Sequence, residues 1–277
     1  MTPSKMNKLA AIVGRTPKAA VAFSGGVDSS LLLRLAADVL GRTNVVAVTG
    51  VSQTYTEEER TSARRFARGL GVKHVLIETD ELACRAFAEN PGDRCYHCKK
   101  ALFRKVSALA RRRGLPVILD ATNADDLADY RPGRKAAAEA GVVSPFVLAG
   151  WTKKDIRAVS KRLGLASWDK PANPCLASRV PYGTPITAEV LERIHAGETA
   201  IRKLGFAIVR LRHHGPVARV EVPAADFPRL LRPATARKIA ASLKSLGYDW
   251  VALDIEGYRM GSLNRPLAGR GGGGAKR

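Results

Sequence analysis

The chain is short of cysteine, of aromatic residues and of acidic charge, and each shortage excludes something. Four cysteines in 277 residues are too few for the disulfide framework of a small secreted scaffold. No apolar run approaches the roughly 18 residues that a membrane-spanning helix needs. Near the start, Lys5 and Lys8 precede an apolar stretch of only Leu9–Val13, too short for the core of a secretory signal. The Gly-Lys-Ser/Thr ending of a Walker A loop is missing, and no Gly-x-Gly-x-x-Gly fingerprint opens a helix after a strand. There is no second Cys-x-x-Cys pair, which excludes a four-cysteine zinc ribbon. No internal repeat is visible. These absences point to a soluble protein of a reducing, cytoplasmic compartment, with no membrane partner.

Against 25 Asp+Glu stand 46 Lys+Arg, a net charge of +21, while 45% of the chain is hydrophobic. That composition is globular, and the length suits one large or two modest domains. Basic residues gather at Arg60–Arg68, Lys99–Arg113 and Arg202–Arg219. They read as solvated helix faces or as attraction for polyanions, from nucleotides to RNA; charge alone does not choose.

Strand and helix patterns alternate over the first 150 or so residues, about the length of one domain. Ala19–Phe23, Val45–Thr49, His74–Glu78 and Val117–Asp120 read as strands. Leucines at helical spacing run from Ser29 to Leu40 and stop at Gly41, and a further helix is expected from about Tyr96 to Arg113. Thr56 with Glu59, and Thr152 with Asp155, are capping boxes opening helices to about Arg68 and Leu163. This alternation predicts an α/β domain with a parallel sheet covered on both faces, over residues 1–165. Residues 166–186 are dense in proline and short polar residues without periodicity, which marks a functional loop. From Thr187 a helix leads to Gly205. Strands Ala207–Leu211 and Val217–Val222 flank the turn His213-His214-Gly215-Pro216, and helix Ala234–Leu246 and strand Trp250–Asp254 follow. Residues 187–264 thus form a smaller α+β domain, for substrate or oligomerisation, whose alternation fits a ferredoxin-like arrangement. The Gly-rich basic tail, residues 265–277, is expected to be disordered.

Ser24-Gly25-Gly26-Val27-Asp28-Ser29 lies between a strand and a helix. Two glycines let backbone N–H groups approach an anion, and the helix start adds unpaired donors and a positive dipole end. Ser24 and Ser29 can donate to phosphate oxygens. Asp28 suits Mg²⁺ or a helix cap better than a bare phosphate. The segment resembles the SGGxDS loop of the N-type ATP pyrophosphatases, which bind the β- and γ-phosphates of ATP. That resemblance implies a PP-loop domain of the adenine nucleotide alpha hydrolase-like type. A substrate oxygen attacks the α-phosphorus there, pyrophosphate leaves, and adenine sits by the backbone at Val48–Gly50, including Thr49.

Cys95 and Cys98 form a lone Cys-x-x-Cys pair, open to a redox dithiol, half a zinc site or part of an iron–sulfur site. Cys175 adds a third thiol on the loop. Cys84, within a helical pattern over Asp80–Ala88, reads as a small buried hydrophobe. Together, SGGVDS, DRCYHCK, ATNADDLADYRPG, PCLASRVPYG and VRLRHHGPVARVEVP resemble the LarE family over about residues 7–264. LarE proteins are ATP-dependent sulfur-inserting enzymes that make the nickel-pincer nucleotide of lactate racemase. The resemblance implies adenylylation of a carboxylate of pyridinium biscarboxylic acid mononucleotide, attack by sulfur and departure of AMP.

Two sulfur sources occur in that family: one sacrificial cysteine, or three cysteines holding a [4Fe-4S] cluster with an open iron. The sacrificial cysteine lies five residues before the arginine of the S-R-x-P-Y-G block, where this chain has Pro174; Cys175 lies four before Arg179. The pattern therefore favours a cluster on Cys95, Cys98 and Cys175, fed by a sulfur donor or sulfide, with a persulfide or sacrificial Cys175 as the alternative.

The resemblance also implies phosphate contacts from Ser178 and Arg179, and pocket-lining roles for Glu198, Arg210, Arg212 and Glu221. Arg210 and Arg212, two apart on a strand, share a face and could clamp a phosphate, or be plain exposed charges. Glu198 and Glu221 could equally be surface or salt-bridged. Asp126 and Asp129 are candidates for metal or ribose contact, or for capping. His213 and His214 are expected to face solvent. A homo-oligomer is implied by the family alone. Competing readings are a tRNA-thiolating ATP pyrophosphatase, against which the lack of an RNA-binding module makes nucleic acid an unlikely partner, and a non-catalytic nucleotide- or RNA-binding regulator.

Overall fold

Short runs of Ala and Val punctuated by Gly and polar turns leave the chain little choice but strands alternating with helices. The computed structural model describes residues 3–127, 131–171 and 173–259. In chain order the elements are α1 Pro3–Val13, β1 Ala19–Ala22, α2 Val27–Leu40, β2 Val45–Val51, α3 Glu57–Gly69, β3 Lys73–Glu78, α4 Arg85–Ala88, α5 Arg94–Arg112 and β4 Val117–Leu119. Then come α6 Gly133–Glu139, α7 Pro145–Leu148, α8 Lys153–Arg162, α9 Ala188–Lys203, β5 Arg210–His214, β6 Val217–Glu221, α10 Phe227–Leu230, α11 Pro233–Ser245 and β7 Trp250–Leu253. Two compact units result. Among the described residues, one takes the chain up to Cys84 together with Asp93–Asn173, and the other Arg85–Gly92 together with residues 174–259.

The first unit is a parallel sheet in the order β3-β2-β1-β4, with Ala19 opposite both Val45 and Val117. Successive residues of β1 face opposite ways: Ala19 and Val21 join a core with Leu31, Leu32, Ile156 and Trp151, whereas Ala20 joins one with Val48, Phe103 and Val106. Helices thus cover both faces, as the alternating pattern predicts. The strand order reverses between β1 and β4, and ligands of open α/β sheets lie at the carboxyl ends of strands at such a switch. Both capping boxes form: Thr56 Oγ1 accepts from the Glu59 N–H, and Thr152 Oγ1 from the Asp155 N–H.

The second unit departs from the ferredoxin-like expectation. Its sheet has three strands, β5-β6-β7, with β5–β6 antiparallel and β6–β7 parallel. The reason is topological: α10 and α11 intervene between β6 and β7, and a helical crossover returns the chain parallel. The hairpin ladder continues to His214 opposite Val217, so the two histidines belong to β5 rather than to the turn. His213 is buried, with Nδ1 3.3 Å from the Tyr248 hydroxyl, which corrects the expectation that it faces solvent. Cys84 is corrected too. It is half-buried in a turn ahead of α4, because Asp80 Oδ1 and the Glu81 carbonyl accept from the Ala83 and Cys84 N–H groups and divert the backbone from a helix. The tail at residues 265–277 lies outside the described residues.

Candidate functional site

The loop after β1 is shaped by its own hydroxyls. Ser29, buried in the first turn of α2, donates from Oγ to the Gly26 carbonyl at 3.2 Å and lies 3.1 Å from Ser24 Oγ. Gly25 has φ 75°, and a Cβ there would stand 3.3 Å from that of Ala63. Backbone freedom and lack of a side chain are both required. Helix α2 begins at Val27, two residues earlier than its leucine pattern suggests. Its N-cap is Gly26, with no side-chain cap. The orphan N–H groups of the first turn therefore keep their capacity for an anion. Asp28 does not cap the helix. Its carboxylate forms an ion pair with Lys153 and accepts from Asn123 Nδ2 at 3.5 Å.

Several groups around this loop carry no local sequence signal. Lys153, the first residue of α8, comes from 125 residues away, and its N–H donates to Asp125 Oδ2 at 2.7 Å. Lys170 Nζ donates to the Gly25 carbonyl at 3.3 Å, and the Tyr55 hydroxyl to the Ser24 carbonyl at 3.1 Å. Burial first, then the charge of Glu59, raises the Tyr55 pKa, so the phenol stays protonated and donating. The Thr152 capping box could have flagged Lys153 as a helix start, but not as a loop partner.

Thr49, buried in the second half of β2, donates to the Phe23 carbonyl and stands 2.8 Å from His74 Nε2. Its hydroxyl is engaged in tying β2 to the strand that feeds the loop. Asp126 is buried, with Oδ2 accepting from the Asn123 N–H at 3.1 Å and Oδ1 paired with Arg131 at 2.9 Å. Asp129 lies outside the described residues.

Cys95 and Cys98 sit near the start of α5, Cys95 exposed and Cys98 half-buried. The Cys98 thiol donates to Glu81 Oε1 at 3.8 Å. No cysteine of the chain is in a disulfide. Among the described residues no three His, Cys, Asp or Glu side chains form a group able to hold a metal ion.

In the second unit, Cys175 is exposed and precedes a 3₁₀ turn, Leu176–Arg179, whose last side chain is only 1% exposed. Arg179 donates to both Glu198 oxygens, at 2.8 and 3.1 Å, and to the Pro174 and Cys175 carbonyls and Ser178 Oγ. Glu198 also accepts from Arg202 and from the Leu211 N–H. Burial pushes the Glu198 carboxyl up, but the guanidinium groups of Arg179, Arg210 and Arg202 outweigh it and hold it below the usual range. Arg212 meets Glu221 through two parallel hydrogen bonds of 2.8 Å and donates a third, from Nη1, to the Ser178 carbonyl. Arg210 lies over the Tyr258 ring at 5.2 Å, and burial, then Arg179, lowers its pKa. Glu198, Arg210, Arg212 and Glu221 are thus not exposed charges. Three buried arginines against two buried glutamates, Arg179, Arg210 and Arg212 with Glu198 and Glu221, leave one positive charge in excess, the balance that favours a bound anion.

The NAD synthase family matches residues 9–127, the part of the chain that carries the phosphate loop. A pyridinium-3,5-bisthiocarboxylic acid mononucleotide synthase of Lactiplantibacillus plantarum is 38% identical over 264 residues, 95% of this chain and 95% of that protein. An uncharacterized protein of Synechocystis sp. is 41% identical, covering 96% of this chain and 99% of the relative. A glutamine-dependent NAD(+) synthetase of Aquifex aeolicus is 36% identical over 78 residues, 28% of this chain and 14% of that enzyme.

Proposed function

The chain belongs to the LarE family of ATP-dependent sulfur transferases, and from that premise we propose that it adenylylates a carboxylate of pyridinium biscarboxylic acid mononucleotide and converts it to a thiocarboxylate. The observation that carries the reading is the uncapped start of α2 behind Gly25 and Gly26, with the Asp28 carboxylate beside it.

A substrate carboxylate oxygen attacks the α-phosphorus, the bond to the β-phosphate oxygen breaks, and pyrophosphate leaves. Sulfur then attacks the acyl carbon and AMP departs; it is a far better leaving group than hydroxide. Helix α2 N–H groups and Ser24 hold the β- and γ-phosphates as charge moves onto pyrophosphate. Asp28, the one carboxylate on this loop, is the residue to hold Mg²⁺, which supplies neutralisation of the phosphate oxygens when bound. Lys153 releases Asp28 for that task and keeps a cation near the transferred charge. In the second unit the arginine excess of Arg179, Arg210 and Arg212 suits the substrate phosphate, with Glu198 and Glu221 fixing their guanidinium planes. Asp126, through Asn123, positions the group that touches Asp28.

What supports a [4Fe-4S] cluster on Cys95, Cys98 and Cys175 is the family resemblance and the chemistry of three free thiols with solvent access, since no group of three metal-holding side chains is formed among the described residues. With three thiolate ligands a cluster leaves one iron open to present sulfide. Thiols kept reduced for this purpose suit a cytoplasmic enzyme, and the family implies a homo-oligomer.

The test is to supply ATP, Mg²⁺ and the biscarboxylic mononucleotide anaerobically and follow products. AMP, pyrophosphate and thiocarboxylate are expected; ADP as the nucleotide product would overturn the scheme. Protein mass before and after turnover should be unchanged, since loss of one sulfur atom from Cys175 would mean sacrifice instead of a cluster.

A further inference from the structure

Helix α3 and edge strand β3 enclose a groove of about 510 Å³ lined by Arg64, Arg68, Lys73, His74 and Leu76. It lies toward the amino end of β3, whereas the phosphate loop follows the carboxyl end of β1 in the same sheet. The Arg42 side chain lies against the same turn, its Cδ 3.4 Å from where a Cβ on Gly71 would sit. No acidic residue lines the groove, and among the described residues no ion pair is formed by Arg64, Arg68 or Lys73. Arg64 and Arg68 are four apart on one helix face, a like-charge spacing that costs stability unless an anion sits between them.

The chemistry of His74 adds a second, independent feature. The Thr49 hydroxyl has a single proton, which goes to the Phe23 carbonyl, so His74 Nε2 carries a hydrogen and donates to Thr49 Oγ1. Nδ1 is then an acceptor, and it is buried without a partner among the described residues. Burial, reinforced by Arg64, keeps the ring neutral by lowering its pKa. A matching ligand brings negative oxygens for the arginines and lysine and one hydroxyl for Nδ1. A terminal phosphate carries nearly two negative charges near neutral pH, its second pKa being about 6, and the fraction that keeps one proton also offers the hydroxyl; a phosphodiester linkage carries one charge and no such hydroxyl.

We infer that the α3–β3 groove is a second anion site, binding the terminal phosphate of a small molecule up to mononucleotide size through Arg64, Arg68, Lys73 and His74. This goes beyond the sulfur-transfer reading and does not depend on it.

The experiment follows the His74 imidazole resonances of the full chain, identified by their loss in His74→Gln, during titration with pyrophosphate, AMP and a dinucleoside monophosphate lacking a terminal phosphate. Pyrophosphate and AMP should shift the His74 signals saturably at low ionic strength, and the phosphodiester should not. R64Q/R68Q should weaken the response about tenfold or more, R64K/R68K should retain most of it, and added salt should weaken it in the wild type. Both exchanges are at exposed positions and leave the melting temperature as a check on folding. Unmoved His74 signals, an equal response in folded R64Q/R68Q, or an equal response to the phosphodiester would overturn the assignment.

Discussion

A few residues hold most of the chemistry, and their environments set what substitution should do. Gly25→Ala must adopt a positive φ beside Ala63. The left-handed conformation costs an L-residue about 1–2 kcal/mol, so the melting temperature should fall and ATP binding weaken; calorimetry of both checks this. Asp28→Asn should lower AMP formation by about 10²–10³-fold, the usual loss when one charge-stabilising group is removed from a transition state. A variant with unaltered turnover would leave Asp28 no role in the reaction. Glu198→Gln strands Arg179 and Arg210 in a buried site, since the carboxylate takes two hydrogen bonds from Arg179 alone. Breaking one partner of a buried ion pair costs about 3–5 kcal/mol, and the urea midpoint should drop accordingly.

At the scale of the element, α8 couples capping to pH. Asp155 closes the box with Thr152 and pairs with Lys5 of α1 at 2.7 Å. Lys5, then the Thr152 N–H, lowers its pKa from 3.8 to about 2. A carboxyl depressed on folding contributes stability that is whole above its unfolded value and is lost as pH falls through the folded one. Unfolding stability should therefore decline between pH 3.8 and about 2, and Asp155→Asn should flatten that stretch while costing about 1 kcal/mol at neutral pH. Equal acid slopes for wild type and variant would remove the effect. Both capping boxes were legible from three-residue spacings because each closes on itself. The start of β5 was not. Apolar Ala207–Val209 looked like strand, but the ladder runs Arg210–His214, whose buried polar side chains are satisfied by Glu221 and Tyr248 from elsewhere in the chain.

For the molecule as a whole, the three thiols give the remaining prediction. Cys95→Ser and Cys98→Ser should abolish the broad iron–sulfur absorption of anaerobically purified protein while leaving the far-ultraviolet dichroism intact, because Cys95 is exposed and Cys98 only half-buried on α5. A colourless wild type that cannot be reconstituted would remove the cluster. The excess of basic charge finds partial employment inside the fold: Arg179, Arg210 and Arg212 are buried within ion pairs or over an aromatic ring, and Arg64 and Arg68 edge a groove. Composition shows such charges and is silent on which of them leave the surface.

From residue order alone came the alternation of β1–β4 with helices, the glycine turn after β1 and the two capping boxes, because each depends on neighbours within one or two turns of chain. Distance in sequence hid the rest. Lys153 and Lys170 reach the loop across 125 and 145 residues, and Arg212 meets Glu221 only because β5 and β6 pair in one register. Such pairings depend on how elements stack in space, and no local spacing encodes that.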